Sequence, residues 1–139
     1  MKTIRLLTFL MLVTVFCAEA DAQHQKTAIQ TRAKIAGIKK SFEGLWYNQK
    51  TRRYISISFD YGDDALINDW RGKLTNRSTA DAYIAFIKGN KLILPEEKEH
   101  HGVYCEMLIS KRKLLYKCKG LLLKTDQFTD STSFVKLPD

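Results

Sequence analysis

Val103-Tyr104-Cys105-Glu106-Met107-Leu108-Ile109-Ser110-Lys111-Arg112-Lys113-Leu114-Leu115-Tyr116-Lys117-Cys118-Lys119 is the stretch that decides the fold. Two runs rich in apolar and aromatic residues flank Lys111-Arg112. If the chain reverses at that dipeptide, residues whose numbers sum to 223 face each other. Ile109 then meets Leu114, Met107 meets Tyr116 and Cys105 meets Cys118 on one face. On the other face Glu106 meets Lys117 and Leu108 meets Leu115. A single register thus aligns an apolar face, an ion pair and two cysteines, the kind of agreement that fixes strand pairing. It also makes Cys105 and Cys118 a non-hydrogen-bonded pair, with Cα atoms about 4.5 Å apart.

Working back from this hairpin, residues 82–87 and 91–94 flank Gly89-Asn90, a dipeptide suited to a tight primed turn. That centre pairs Ile87 with Leu92 and Phe86 with Ile93. Both faces of this second hairpin are apolar, which predicts cover on each side. Pro95 ends it, and residues 96–101 read as a charged loop. Earlier still, Arg53-Tyr54-Ile55-Ser56-Ile57-Ser58-Phe59-Asp60 alternates, with Ile55, Ile57 and Phe59 on one face. Tyr61-Gly62-Asp63-Asp64 is a turn and residues 65–71 the returning strand, with a loop over 73–78. Towards the C-terminus one more strand is expected over 133–137. About seven or eight short antiparallel strands in hairpin order predict an all-β meander forming a small barrel or half-barrel. A short basic amphipathic helix over residues 24–42 precedes them. Ile29, Ala33 and Ala36 have helical spacing, and the helix is expected to end near Gly37 or Ser41.

The N-terminus carries a different signal. Lys2 and Arg5 precede an apolar run over residues 6–16, and Ala18-Glu19-Ala20 and Ala20-Asp21-Ala22 follow. That order is a cleavable secretory leader. The run is too short for a bilayer, which needs about 20 residues. Cleavage is placed after Ala22, with Ala20 as the alternative, and Phe16 before Cys17 makes a poor lipobox. The organisation read from the sequence is a signal peptide over 1–22, a helical segment over 23–42 and a barrel-like domain over 43–139. The expected location is the periplasm or the cell exterior, without a membrane span. Without the leader the chain has 21 Lys+Arg against 13 Asp+Glu, a balance of +8. The basic residues are spread along the chain, which suits a solvated surface and a weak attraction to anionic surfaces. No recognition motif points to nucleic acid.

Two cysteines in an exported mature chain predict a structural Cys105–Cys118 disulfide on compartment grounds as well as register. No C-x-x-C motif suggests redox chemistry. Glu96, Glu97, Glu99, His100 and His101 are read as a solvated loop and not a metal site, since adjacent histidines in extended chain point to opposite sides. Asp60, Asp63 and Asp64 lack calcium-loop spacing. No G-x-S-x-G or carboxylate pair stands out, so neither catalytic residues nor a cofactor are assigned and the chain is read as a non-enzyme. Trp70, Tyr54, Tyr83 and Tyr116 are aromatics that either line a pocket or fill a core.

Gly44-Leu45-Trp46, just after the helical segment, resembles the G-x-W signature of lipocalins and other calycins, where the tryptophan plugs one end of the barrel. Thr125-Asp126-Gln127-Phe128 is similar to the lipocalin T-D-Y element, with Phe in place of Tyr. Gly44, Trp46, Tyr47, Asn48 and Gln49 also look like the first avidin strand, in which Asn48 would stand at the biotin ureido oxygen. Arg52 stands near that family's ligand-binding serine, and the chain has only Trp46 and Trp70, so the likeness supports the barrel and not biotin. The resemblance implies a binding barrel holding a small apolar or amphipathic ligand, lined by Ile55, Ile57, Met107 and Tyr116, with Trp46 closing one end. The basic surface and the second hairpin support a different expectation, an envelope protein–protein module such as an inhibitor, an immunity factor or a secretion or conjugation accessory.

Overall fold

The computed structural model describes residues 27–96, 103–119 and 128–138, of which 128–130 are described by their backbone alone. The predicted leader and its cleavage site, His100 and His101, and Thr125-Asp126-Gln127 lie outside the described residues. So does residue 97–102 of the charged loop.

The chain divides into two units, the first ending at Gly37 and the second beginning at Ile38. In the first, residues 27–37 are helical. This helix, α1, runs over residues 27–42, so it passes through Gly37, where one of its expected ends lay, and its last turn belongs to the second unit. That unit holds eight strands among its described residues: β1 Gly44–Asn48, β2 Arg53–Ser58, β3 Ala65–Arg71, β4 Asp81–Lys88, β5 Lys91–Leu94, β6 Cys105–Ser110, β7 Lys113–Lys119 and β8 Phe128–Lys136. Each pairs antiparallel with the next, and β8 pairs back to β1, so the meander is a closed barrel and not a half-barrel. Closure removes the free sheet edges that would otherwise pair with other chains.

The period-two pattern explains which residues fill the interior. Trp46, Ile55, Ile57, Ala65, Ile67, Ala85, Leu92, Met107, Leu114 and Phe134 alternate with outward residues and are all buried. The deciding hairpin has the register its sequence dictates: Cys105 opposite Cys118, Met107 opposite Tyr116, and Ile109 opposite Leu114. The Cys105–Cys118 disulfide is formed, with Cα atoms 4.1 Å apart. Lys111 and Arg112 both have positive φ, 48° and 64°, the backbone of a primed two-residue turn normally given to Asn-Gly.

The second hairpin also pairs as expected, Phe86 with Ile93 and Ile87 with Leu92. Its outer face corrects the expectation of cover on both sides. Ala85 and Leu92 are buried inside, but Ile84 and Phe86 remain 46% and 45% exposed outside. The predicted loop over 73–78 contains a 3-10 turn, Leu74–Thr79. The last strand is longer than the expected 133–137, because β8 pairs along most of β7.

The Phe42 end of the barrel is closed by apolar side chains. Phe42 is buried in the core, Ile38 packs against it, and the Trp46 indole Nε1 donates to the Phe42 carbonyl at 2.7 Å. That bond satisfies one of the carbonyls a helix leaves unpaired at its C-terminus. Lys39 Nζ reaches Gly62 O at 2.7 Å and Asp63 Oδ1 at 2.6 Å, holding the last turn of α1 to the β2–β3 turn. Gly44 stands between, at φ +119°, and a Cβ there would lie 2.7 Å from Lys136 Cε. The G-x-W spacing thus has local causes: the glycine admits β8, and the tryptophan plugs the barrel.

Candidate functional site

Side-chain parity along the strands builds a polar tier inside the opposite end of the barrel. Arg53 opens β2 with the same parity as Ile55 and Ile57, so it faces inward. Asp69 shares the parity of Ala65 and Ile67 on β3, Tyr83 that of Ala85 on β4, and Tyr116 that of Leu114 on β7. The register sets Ile55 opposite Asp69 and Ile67 opposite Tyr83, so Arg53, Asp69 and Tyr83 are diagonal neighbours on adjacent strands.

Their heads meet. Arg53 Nε donates to Asp69 Oδ1 at 2.9 Å and to Oδ2 at 3.1 Å, and Nη2 donates to Oδ2 as well. The Tyr83 hydroxyl donates to the same Oδ2 at 2.9 Å. Across the interior, the guanidinium carbon lies 4.9 Å from the Tyr116 ring centroid and 5.8 Å from that of Phe134, within cation–π range. Burial alone would lower the Arg53 pKa, but the hydrogen bonds and charge of Asp69 outweigh it and hold the pKa above its ordinary value. Tyr83 is pushed far up, first by burial and then by Tyr116 and Asp69, so it keeps its proton. The tier is a fixed ion pair with a neutral phenol, and it is reachable: Arg53 and Asp69 side chains are 20% and 12% exposed. Nε and Nη2 are the guanidinium nitrogens that bond Asp69.

The five residues read from the sequence as ligand-lining all face inward, but at different depths. Ile55, Ile57 and Met107 have 0–1% accessible surface and Trp46 2%, so their neighbours enclose them completely. Tyr116, at 8%, belongs to the polar tier. Leu94, Val103 and Cys118 are partly buried and pack against the core that includes Tyr116. Trp70 and Tyr54 have outward parity, though Trp70 is buried at 3% exposure. They stack with centroids 5.4 Å apart, and Tyr54 stacks on Tyr47 at 4.4 Å. Asn48 works within the fold: its Oδ1 accepts from Thr51 N at 2.8 Å, and its Nδ2 donates to Ser133 O at 2.7 Å across the β1–β8 seam.

Sequence reasoning passed over Arg53 and Asp69. The signal that would have found them is parity: opposite charges on the inward set of two neighbouring strands. Among the described residues there is no group of three or more His, Cys, Asp or Glu placed to hold a metal ion, and no helix is long and apolar enough to cross a membrane.

The eight-stranded antiparallel closed barrel is consistent with a calycin-type fold. Comparison with known proteins finds no matching family model, no matching curated protein and no matching solved structure.

Proposed function

We propose that this is an exported, non-enzymatic binding barrel that holds a small amphipathic ligand at its Arg53 end. The observation that carries the reading is the inward Arg53 guanidinium, which bonds Asp69 through Nε and Nη2 and lies 4.9 Å from the Tyr116 ring. A polar or anionic head accepts from the guanidinium, and the apolar part rests on the Tyr116 ring. The deeper tier of Ile55, Ile57 and Met107 is closed, so the ligand stays near the end and does not fill the barrel. Arg53, Asp69 and Tyr83 are spent on one another, which suits recognition more than proton transfer. The Cys105–Cys118 bridge and the leader-like N-terminus support a location outside the cytoplasm.

Native mass spectrometry of oxidised residues 23–139, purified gently from an exporting host, tests the reading. The expected result is added mass that is lost on denaturation and is absent from Arg53→Lys, which keeps the charge beside Asp69 but removes the guanidinium donors. A bare polypeptide mass for the unsubstituted chain, in preparations kept free of detergent, overturns it.

A further inference from the structure

The outer wall of the barrel carries an apolar face, exposed at Ile84 and Phe86, with a cationic border. Register sets Leu66 beside Ile84, Phe86 beside Ile93, and Leu108 beside Leu115. These six side chains run across β3 to β7 on the outward parity, with Ile84 and Phe86 the most exposed. Glu106, an acidic residue within this face, is paired: it accepts from Lys91 Nζ at 2.7 Å. Lys88, Lys111, Arg112 and Lys113 are exposed where the β4–β5 and β6–β7 turns border the face.

The Lys111-Arg112 turn adds an independent observation. Both residues sit at positive φ, a conformation that costs non-glycine residues about 1 kcal/mol or more each and that Asn-Gly would adopt freely. A strained backbone kept at the border of an exposed apolar face points from conformation to function. What the strain retains is two positive charges.

The geometry points to this wall as a docking surface for an acidic protein, one that presents apolar anchors bordered by carboxylates. A closed barrel has no edge strand to lend, so association must run through side chains on the wall. A second copy is disfavoured, because a two-fold pairing of this face sets cationic border against cationic border. Apolar anchors bordered by opposite charge provide both the buried area and the electrostatic match that specific interfaces use.

The test is selection of displayed random peptides on oxidised residues 23–139, followed by affinity measurement of the enriched peptides. The expected peptides combine Asp or Glu with aromatic or branched anchors, and their binding weakens about tenfold or more between low and high salt. Phe86→Asp is expected to weaken them at least about tenfold, the loss typical of a central anchor. Tyr61→Ser, at an exposed aromatic elsewhere, leaves them unchanged. The double substitution Lys111→Asn with Arg112→Gly is the sharper variant: it is expected to melt at a higher temperature yet bind more weakly. Enriched peptides without acidic residues overturn the proposal, as does binding that survives Phe86→Asp. Phe86-dependent binding to vesicles of anionic phospholipid in place of peptides, or Phe86-dependent dimerisation in sedimentation, also overturns it. Arg53→Lys retains peptide binding, so this surface and the ligand site fail separately.

Discussion

The two ends of the barrel interior are closed by opposite chemistries. At one end Phe42, Ile38 and Trp46 pack as apolar surface, with a single directed bond from the indole to the Phe42 carbonyl. At the other, Arg53, Asp69 and Tyr83 close the interior with directed bonds and two formal charges. An apolar plug is stabilised in proportion to area and tolerates only changes that keep its volume. A polar plug stands or falls with its partners, because each group left alone inside carries its full desolvation cost. It can also exchange a partner for a ligand atom without opening the core beneath. The difference makes the Phe42 end a matter of packing and the Arg53 end a matter of pairing.

The largest effect is expected at the apolar end. Phe42→Ala should cost about 3–5 kcal/mol, the range for a buried aromatic cut to alanine, read as a shift in the denaturant midpoint at unchanged slope. At the polar end, Asp69→Ala should cost about 3 kcal/mol by leaving the Arg53 charge uncompensated. Replacing both partners, Arg53→Met with Asp69→Leu, should recover most of that loss in the same unfolding assay. If the double variant is as unstable as the single one, the polar end is not a self-contained pair and the contrast between the ends weakens.

Reduction of the Cys105–Cys118 bridge should cost about 2–3 kcal/mol, as expected for a short closed loop, measured by thermal unfolding with and without reductant. The smallest effect belongs to Tyr83→Phe, about 1 kcal/mol at neutral pH for one lost hydrogen bond. Its pH dependence is more telling. The folded state holds the Tyr83 proton far above the ordinary phenol value, whereas the unfolded chain releases it near pH 10. Stability from this group is therefore complete below about pH 10 and falls as the pH rises further. Tyr83→Phe should flatten that alkaline loss, and ultraviolet titration of the folded chain should find one tyrosine silent until unfolding.

Most of the barrel is legible because one constraint, inward parity, repeats in every strand. Hairpin centres at Gly89-Asn90 and Lys111-Arg112 then fix register with no tertiary information. Ring closure was beyond that reasoning, since pairing Trp46 with Lys136 depends on the tilt of all eight strands together. The helical segment was legible to residue 42, with two ends left open, and the structure takes the one near Ser41: Gly37 breaks helices by propensity, but the burial of Phe42 and the bonds of Lys39 reward continuing past it. The polar tier was hidden for a different reason. Reading strands by their apolar residues marks Arg53 and Asp69 as ordinary surface charges, and only the shared lumen shows that they face each other. The exposed outer side of Ile84 and Phe86 was misjudged because an apolar face predicts burial in general, without saying by what.

The seam between β1 and β8 sets an order of events. It registers Trp46 with Lys136 and Tyr47 with Val135, and Leu137 N donates to Leu45 O at 2.8 Å. The first strand made waits for the last strand of the ring, which stays open until β8 is delivered. A chain whose β8 has not yet left the ribosome cannot complete its core. Such a chain keeps an open sheet until β8 arrives, so timing is built into its topology.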